Sequence, residues 1–433
     1  PTRSPQFAMA YQTVIIHQDI LKADCPPIPT ISIHENDLST TVLSAFLLSG
    51  ANQPIGLSAA YGTRRVMQAI AFSTSSQVLV VKLATKTKPT VKKKGKKNVN
   101  GHSQPGRQLL RDMILCAKHR KVAVNMDRIA ISLHIDLGMH IVDGVDLVSA
   151  MRSEQFTADD MVQLLGGQFA AHKATVANLF KDDSYSADRL RYISLQAWVA
   201  QRAAEKVQRL HALPAIHTGT LDQHHLSSMA EIHRNGDRLV ALKPTVVKND
   251  VQKDLTEKLG KLQVSSTRYK TRLRFSASQT LQLEMGHKGQ TIKVKGRAMG
   301  VEGKTATITI SGAKGSTIRA IHTIGREDPT NAEALRSKVI RLFLQRSAGF
   351  FNHYFSQSIW DPSTSLSTGG LTSAVPADIV FPHRPLNPSQ RKAVRAMISD
   401  EDRHRLTVIH GPPGTGKTTV ISACVTSLIA GRD

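Results

Sequence analysis

The sequence predicts an α/β chain, and three observations predict it. Short apolar runs rich in Val, Ile and Leu, at residues 78–83 and 121–124, alternate with helix-period patterns at 107–116 and 187–210. A middle stretch switches to strict two-residue alternation, the period of a strand with two unlike faces. Near the end, a β-branched run at 406–410, a glycine-rich loop at 411–419 and a helical pattern at 418–429 read as strand, loop and helix, with Gly431 as the stop.

Taken in order, residues 1–30 are a Pro-containing lead-in in which 13–16 pairs as a short strand. Residues 31–215 carry the strand and helix alternation of an α/β domain. A basic, Gly/Pro-containing insertion at 85–101 interrupts it and adds sequence-independent attraction for phosphate, while fitting equally a solubilising loop or a nuclear-import signal. Residues 216–326 hold a linker helix and a β-rich part. Within 266–275 the alternation sets Arg268, Lys270, Arg272 and Arg274 on one face and Tyr269, Leu273 and Phe275 on the other. Lys293, Lys295 and Arg297 repeat the arrangement in 291–297, and 305–310 is an uncharged strand. Same-face residues on a strand lie about 6.8 Å apart, close to the spacing of successive phosphates on a single strand, although a solvated sheet face reads the same way. Residues 327–375 form a helical stalk, with Ala334, Val339, Ile340, Leu342 and Phe343 as its apolar positions, and a Ser/Thr/Gly-rich linker at 362–370.

Composition narrows the partners. With 57 Lys and Arg against 33 Asp and Glu, the formal charge is +24, an electrostatic footprint for phosphate backbones. An anionic membrane surface competes, but no basic amphipathic helix or lipidation signal supports it, and the apolar run at 41–57 is broken by Ser, Gly, Asn, Gln and Pro. No membrane partner is expected. Cys25, Cys116 and Cys424 are far apart, which excludes a disulfide framework or a zinc cluster and favours a reducing compartment, cytoplasmic or nuclear. His211, His217, His224 and His225 lack an accompanying Cys or acidic set and read as polar surface.

The loop Gly411, Pro412, Pro413, Gly414, Thr415, Gly416, Lys417, Thr418, Thr419 satisfies the G-x-x-x-x-G-K-[ST] pattern. Its glycines let backbone N–H groups approach phosphates, and the following helix N-terminus favours their negative charge. Lys417 is placed for the β- and γ-phosphates and the Thr418 hydroxyl for Mg²⁺, so ATP and Mg²⁺ are the expected cofactors. Upstream, Asn387 as N-cap, Pro388 at the first helical position and Gln390 at the third make a capping-box start. The pattern Leu386-Asn-Pro-Ser-Gln390 with Ala393 and Val394, joined to GPPGTGKTT, resembles the superfamily 1 helicases of the up-frameshift and immunoglobulin-µ-binding group. The resemblance implies a RecA-like lobe over 376–433, with Gln390 at the adenine. It also implies that the β-rich part is an accessory β-barrel that closes over single-stranded nucleic acid. An AAA-type ATPase shares the loop string but is not expected to carry the glutamine helix.

Residues 31–215 resemble a ribonuclease D-like 3′–5′ exonuclease domain of RNase H-like fold. That family holds two metal ions with four acidic residues. Ser58 and Ala60 stand at its paired acidic positions, Asp127 is the candidate surviving acid, and Tyr192 is followed by Gln196 where the last aspartate belongs. Ser, Ala and Gln cannot supply the charge that two-metal cleavage needs, so the resemblance implies a degenerate nuclease.

The expectation is therefore an ATP-dependent helicase segment that binds single-stranded RNA or DNA, carrying an inactive nuclease-like domain that is also a surface for protein partners. The loop stands near the last residue, and no acidic D-E pair or second lobe follows it. The sequence is accordingly read as part of a longer protein with little turnover of its own. The rival expectation is a non-catalytic nucleic-acid or protein scaffold, and an active exonuclease is the third.

Overall fold

The computed structural model describes residues 11–84, 105–152, 155–181, 183–186, 189–249, 256–258, 261–265, 273, 279–287, 290–302, 305–311, 317–347, 349, 352–360, 378–382, 384–399 and 407–430. The chain divides into two compact units, Pro1–Gln345 and Arg346–Asp433. The cut falls inside the expected 327–375 segment, so its helix belongs to the first unit.

The first unit opens with β1 (Tyr11–Ile16), β2 (Ile28–His34), α1 (Thr40–Leu48), β3 (Ile55–Tyr61), β4 (Met67–Ser73) and β5 (Val78–Lys82). Then come α2 (Pro105–Leu110), β6 (Lys121–Ala123), α3 (Met126–Ser132), β7 (Gly144–Asp146), α4 (Ala158–Leu164), α5 (Lys173–Leu179), α6 (Leu190–Lys206) and β8 (Ala215–Ile216). The eight strands form one mixed sheet in the order β1-β2-β5-β4-β3-β6-β7-β8. At its centre β3 is antiparallel to β4 and parallel to β6, which is parallel to β7. The central strands β3, β4 and β5 are buried almost throughout, because helices or loops cover both faces; this is why they read as continuous apolar runs without alternation.

Helix α6 fixes that packing. Ala197, Trp198, Ala200, Ala203 and Ala204 are buried against the sheet, and short alanine side chains let the helix come close. Gly56 of β3 completes the fit, since a Cβ there would lie 2.0 Å from the Ala197 carbonyl oxygen. The helix is shorter than the 187–210 pattern suggests. Val207 is extended, and a single tight turn at Leu210–Ala212 replaces the last helical turn.

Two helices connect this sheet to the β-rich part: α7 (Gln223–Leu242) leads out, and a second helix returns after seven strands. The strands are β9 (Val246–Asn249), β10 (Thr256–Lys258), β11 (Lys261–Ser265), β12 (Thr280–His287), β13 (Gln290–Glu302), β14 (Thr305–Ser311) and β15 (Thr317–Ile324), and the returning helix is α8 (Asn331–Leu344). All pairings in this sheet are antiparallel, in the order β10-β11-β14-β13-β12-β15-β9. Among the described residues the order is open, with β10 and β9 at its ends. One face is apolar, packing Leu262, Val264, Leu281, Leu283, Val294, Ile308 and Ile321 together.

Helix α8 starts in a complete capping box, Thr330 with Glu333. Glu333 also accepts from Lys243 Nζ at 2.7 Å, pinning the end of α7 to the start of α8. Gly236 of α7 faces Arg336 of α8, whose guanidinium lies 2.5 Å from where a Cβ would stand and can turn aside.

The second unit contains α9 (Tyr354–Trp360), α10 (Pro388–Ile398) and α11 (Lys417–Ala430). Leu386, Val394, Val420, Ala423 and Cys424 form its core. The strand expected at 406–410 is not formed over its described part, 407–410. Strand pairing needs a neighbour, and among the described residues of this unit there is no other strand; Val408 is 83% exposed.

Replacing Gly56 with Ala is expected to destabilise the first unit by about 3 kcal/mol or more, because the clash is with helix backbone and not with a movable side chain. Chemical denaturation with circular dichroism would show a lowered midpoint, and an unchanged midpoint would contradict the packing described.

Candidate nucleotide and nucleic-acid sites

The loop at 411–419 has the backbone that its pattern requires. Gly414 and Gly416 take φ values of +82° and +84°, which side-chain-bearing residues rarely adopt. Lys417 begins α11, and its ammonium donates to the carbonyls of Gly411 and Pro412 at 2.6 and 2.8 Å. The Thr415 hydroxyl donates to the Pro412 carbonyl at 2.9 Å. The loop thus folds around its own lysine, with Thr418 exposed in the first helical turn.

Asn387 caps α10 as expected. Its side chain accepts from the Gln390 N–H at 2.8 Å, and Gln390 Oε1 accepts from the Asn387 N–H at 3.1 Å. The same glutamine reaches the loop, where Nε2 donates to the Thr415 carbonyl at 3.2 Å. A Cβ at Gly416 would stand 2.5 Å from that nitrogen, so Gly416 is fixed by conformation and contact alike. The cap and the loop contact therefore coexist in one side chain. Sequence reasoning missed Arg384, whose guanidinium donates to the Thr419 hydroxyl.

On the β-rich sheet, Lys293, Lys295 and Arg297 are exposed on β13 while Val294, Gly296 and Ala298 between them are buried. Lys293 lies 3.9 Å from Glu284 across the sheet, which offsets part of its charge. The neighbouring strand opposes Arg297 with Thr309 and Lys295 with Ser311. The companion set Arg268, Lys270, Arg272 and Arg274 lies outside the described residues, as do the basic insertion 85–101 and the linker 362–370.

In the α/β domain, two of the nuclease-like positions meet. Ser58 Oγ of β3 donates to Gln196 Oε1 of α6 at 2.5 Å, and Gln196 Nε2 donates to the Leu179 carbonyl at 2.8 Å. Both side chains are buried and neutral, and Ala60 beside them offers no heteroatom. Tyr192, one turn before Gln196, is 46% exposed at the rim. Asp127 has other company. It is buried in α3 beside Asp146, His233 and Arg341, and burial, reinforced by the Asp146 charge, pushes its carboxyl up to about 6. Burial raises Asp146 likewise and lowers His233. Among the described residues no group of three or more His, Cys, Asp or Glu is disposed to hold a metal ion.

The end of β3 is instead filled by an ion cluster. Arg128 pairs with Asp183 and, at 2.8 Å, with Asp237 of α7; its guanidinium lies 4.2 Å from the centre of the Tyr61 ring. Arg65 joins Asp183 at 3.0 Å. Burial works against the charge on Arg128, yet Asp183 and Asp237 outweigh it and hold the guanidinium above its usual value. Burial drives the Tyr61 hydroxyl up to about 12, against the opposing influence of Arg128. A second pair, Arg234 of α7 with Asp136 at 2.8 Å, is buried too, and Asp136 also accepts from the Met67 N–H at 2.9 Å. The residues of this cluster come from distant segments, so no spacing in the sequence announces them.

The AAA domain family model matches residues 385–432. No curated protein matches the chain. Among solved structures, the chain is similar to a nuclease in its apo form, at 13% identity over 48% of this chain and 87% of that one, with a TM-score of 0.28. It is also similar to the EXD2 exonuclease domain soaked in Mn and dGMP, at 15% identity, 43% and 98% coverage and a TM-score of 0.22. The same domain soaked in Mn and GMP gives 14% identity, 43% and 97% coverage and 0.21. Superpositions this loose do not assign a fold. Among the described residues no helix is long and apolar enough to cross a membrane.

The raised carboxyl of Asp127 predicts a pH effect of known sign. Its folded form favours the protonated acid, so its contribution to stability is full below the ordinary value near 3.8 and is lost as pH rises through about 6. Asp127→Asn, which keeps the site neutral, is expected to melt at or below the parent's temperature at pH 4 and a few degrees above it at pH 7.5. Calorimetric scans across that range check this, and a difference that stays constant with pH would contradict it.

Proposed function

We propose that this chain is the nucleic-acid-binding and ATP-binding part of a superfamily 1 helicase of the up-frameshift-like group, carrying a nuclease-like domain that has lost its chemistry. The observation that carries the reading is the glutamine helix meeting the loop. Gln390 joins the N-cap of α10 to the Thr415 carbonyl, so whatever binds the amide is felt by the phosphate loop. The amide nitrogen keeps a second hydrogen and its oxygen a second lone pair, the complement of an adenine edge that presents N7 and N6. The family model over 385–432 supports the same segment as a nucleotide domain.

The loop fits ATP. Glycines at the positive-φ positions leave room for phosphate oxygens against backbone N–H groups, and the carbonyls that now hold the Lys417 ammonium mark a place from which it can turn to the β- and γ-phosphates. Mg²⁺ bound with the nucleotide would be held by Thr418 and would neutralise the phosphate charge. The basic row of β13, backed by hydroxyl-bearing β14, supplies sequence-independent contacts for single-stranded RNA or DNA. In this reading the sheet corresponds to the accessory barrel of those helicases.

The strand order β5-β4-β3-β6-β7, with β4 alone antiparallel, supports an RNase H-like core. In that core, Ser58 and Gln196 exchange a neutral hydrogen bond where the family keeps carboxylates, so the domain serves as a platform for the stalk and for protein partners.

Lys417→Ala is expected to abolish ATP binding measured by calorimetry on the full chain, with folding unchanged. Replacing Lys293, Lys295 and Arg297 together with Ala is expected to lower the affinity for a single-stranded oligonucleotide and to reduce the slope of its log–log salt dependence by about 2. An unchanged slope would remove β13 from the interface. A 5′-labelled strand incubated with Mn²⁺ is expected to stay intact; stepwise shortening that Asp127→Ala stops would restore the nuclease.

A further inference from the structure

We propose that Arg384 is a second cationic contact for the nucleotide, on the base-proximal, α-phosphate side of the loop. The inference rests on the reading of residues 411–419 as an ATP site and adds a residue that neither the loop pattern nor the glutamine helix contains.

Its position carries the argument. The Arg384 guanidinium donates to the hydroxyl of Thr419, in the first turn of α11 and two residues beyond Lys417. It stands six residues before Gln390, in the segment that leads into α10. Both ends of this segment are tied down. Ser427 of α11 accepts from the Val380 N–H at 3.0 Å, and Leu386 is buried in the core with Val394 and Val420. Arg384 is therefore held between two anchors, while its side chain remains exposed.

Chemistry then selects the phosphate. In a loop of this pattern, backbone N–H groups cradle the inner phosphates and the lysine reaches the outer ones. The first turn of α11 presents unsatisfied N–H groups and a positive dipole end. The inner phosphate meets this turn on the side of the base, and Gln390 marks that side. A guanidinium has five donors in a planar fork. One is used on Thr419, and among the described residues no carboxylate pairs with Arg384. The remaining donors suit the oxygens of a phosphate lying along the turn.

Titration calorimetry of the full chain with ADP and with ATP, each with Mg²⁺, tests this on Arg384→Gln, Arg384→Lys and Lys417→Ala. Arg384→Gln is expected to weaken ADP and ATP alike, by about tenfold, while Arg384→Lys retains part of the affinity and shows that the loop still folds. Lys417→Ala is expected to harm ATP more than ADP. If Arg384→Gln binds both nucleotides within twofold of the parent, the inference fails while the ATP site stands. A loss confined to ATP would move Arg384 to the γ side and overturn the assignment. If the parent binds neither nucleotide, the ATP-site reading fails and this inference falls with it.

Discussion

At the end of β3 a guanidinium is largely, though not wholly, shielded from water. Arg128 is held between Asp183 and Asp237 and lies on the Tyr61 ring, and each of these partners belongs to a different stretch of chain. Burying a charge is costly unless it is paired and hydrogen-bonded, and removing one partner of such a pair typically costs about 3–5 kcal/mol. The cluster therefore sets conditions on everything attached to it. Asp237 brings α7 against α3, Arg234 repeats the attachment through Asp136 to the first residue of β4, and Lys243 with Glu333 hands the position on to α8. The β-rich sheet begins and ends on those two helices.

The same domain pairs neutral polar groups in one place and buries acids in another. Ser58 and Gln196 are joined by a hydrogen bond between neutral groups. Carboxylates are present nearby in Asp127 and Asp146, but they are buried beside each other and shifted toward the neutral acid. In that form they favour the fold at low pH and cost it stability as pH rises.

What the sequence disclosed was local. The capping box of Asn387 and Gln390, the glycine loop and the alternation of Lys293, Lys295 and Arg297 are each written within a few residues, and each has the predicted local form. The strand at 406–410 looked equally local but depends on a partner that the described residues of its unit do not provide. Ser58 and Gln196 could be paired before the fold was known only because a family resemblance set them side by side. Arg65, Arg128, Asp183 and Asp237 had no such guide. They come from segments up to 172 positions apart, and isolated charged residues in a chain this basic carry no mark of burial. Arg384 was hidden for a simpler reason: it precedes the motif by only a few residues and belongs to no pattern.

Lys417 also has a mechanical part in its loop. Its ammonium spans from the first turn of α11 to the carbonyls of Gly411 and Pro412, so it acts as a strut inside the loop it is meant to serve. A ligand that drew the ammonium outward would take that strut away. The Thr415 hydroxyl on the Pro412 carbonyl and the Gln390 amide on the Thr415 carbonyl are the loop's other braces. A neutral cap on that amine, such as an acetyl group, would remove the ammonium strut and leave the loop to those two contacts.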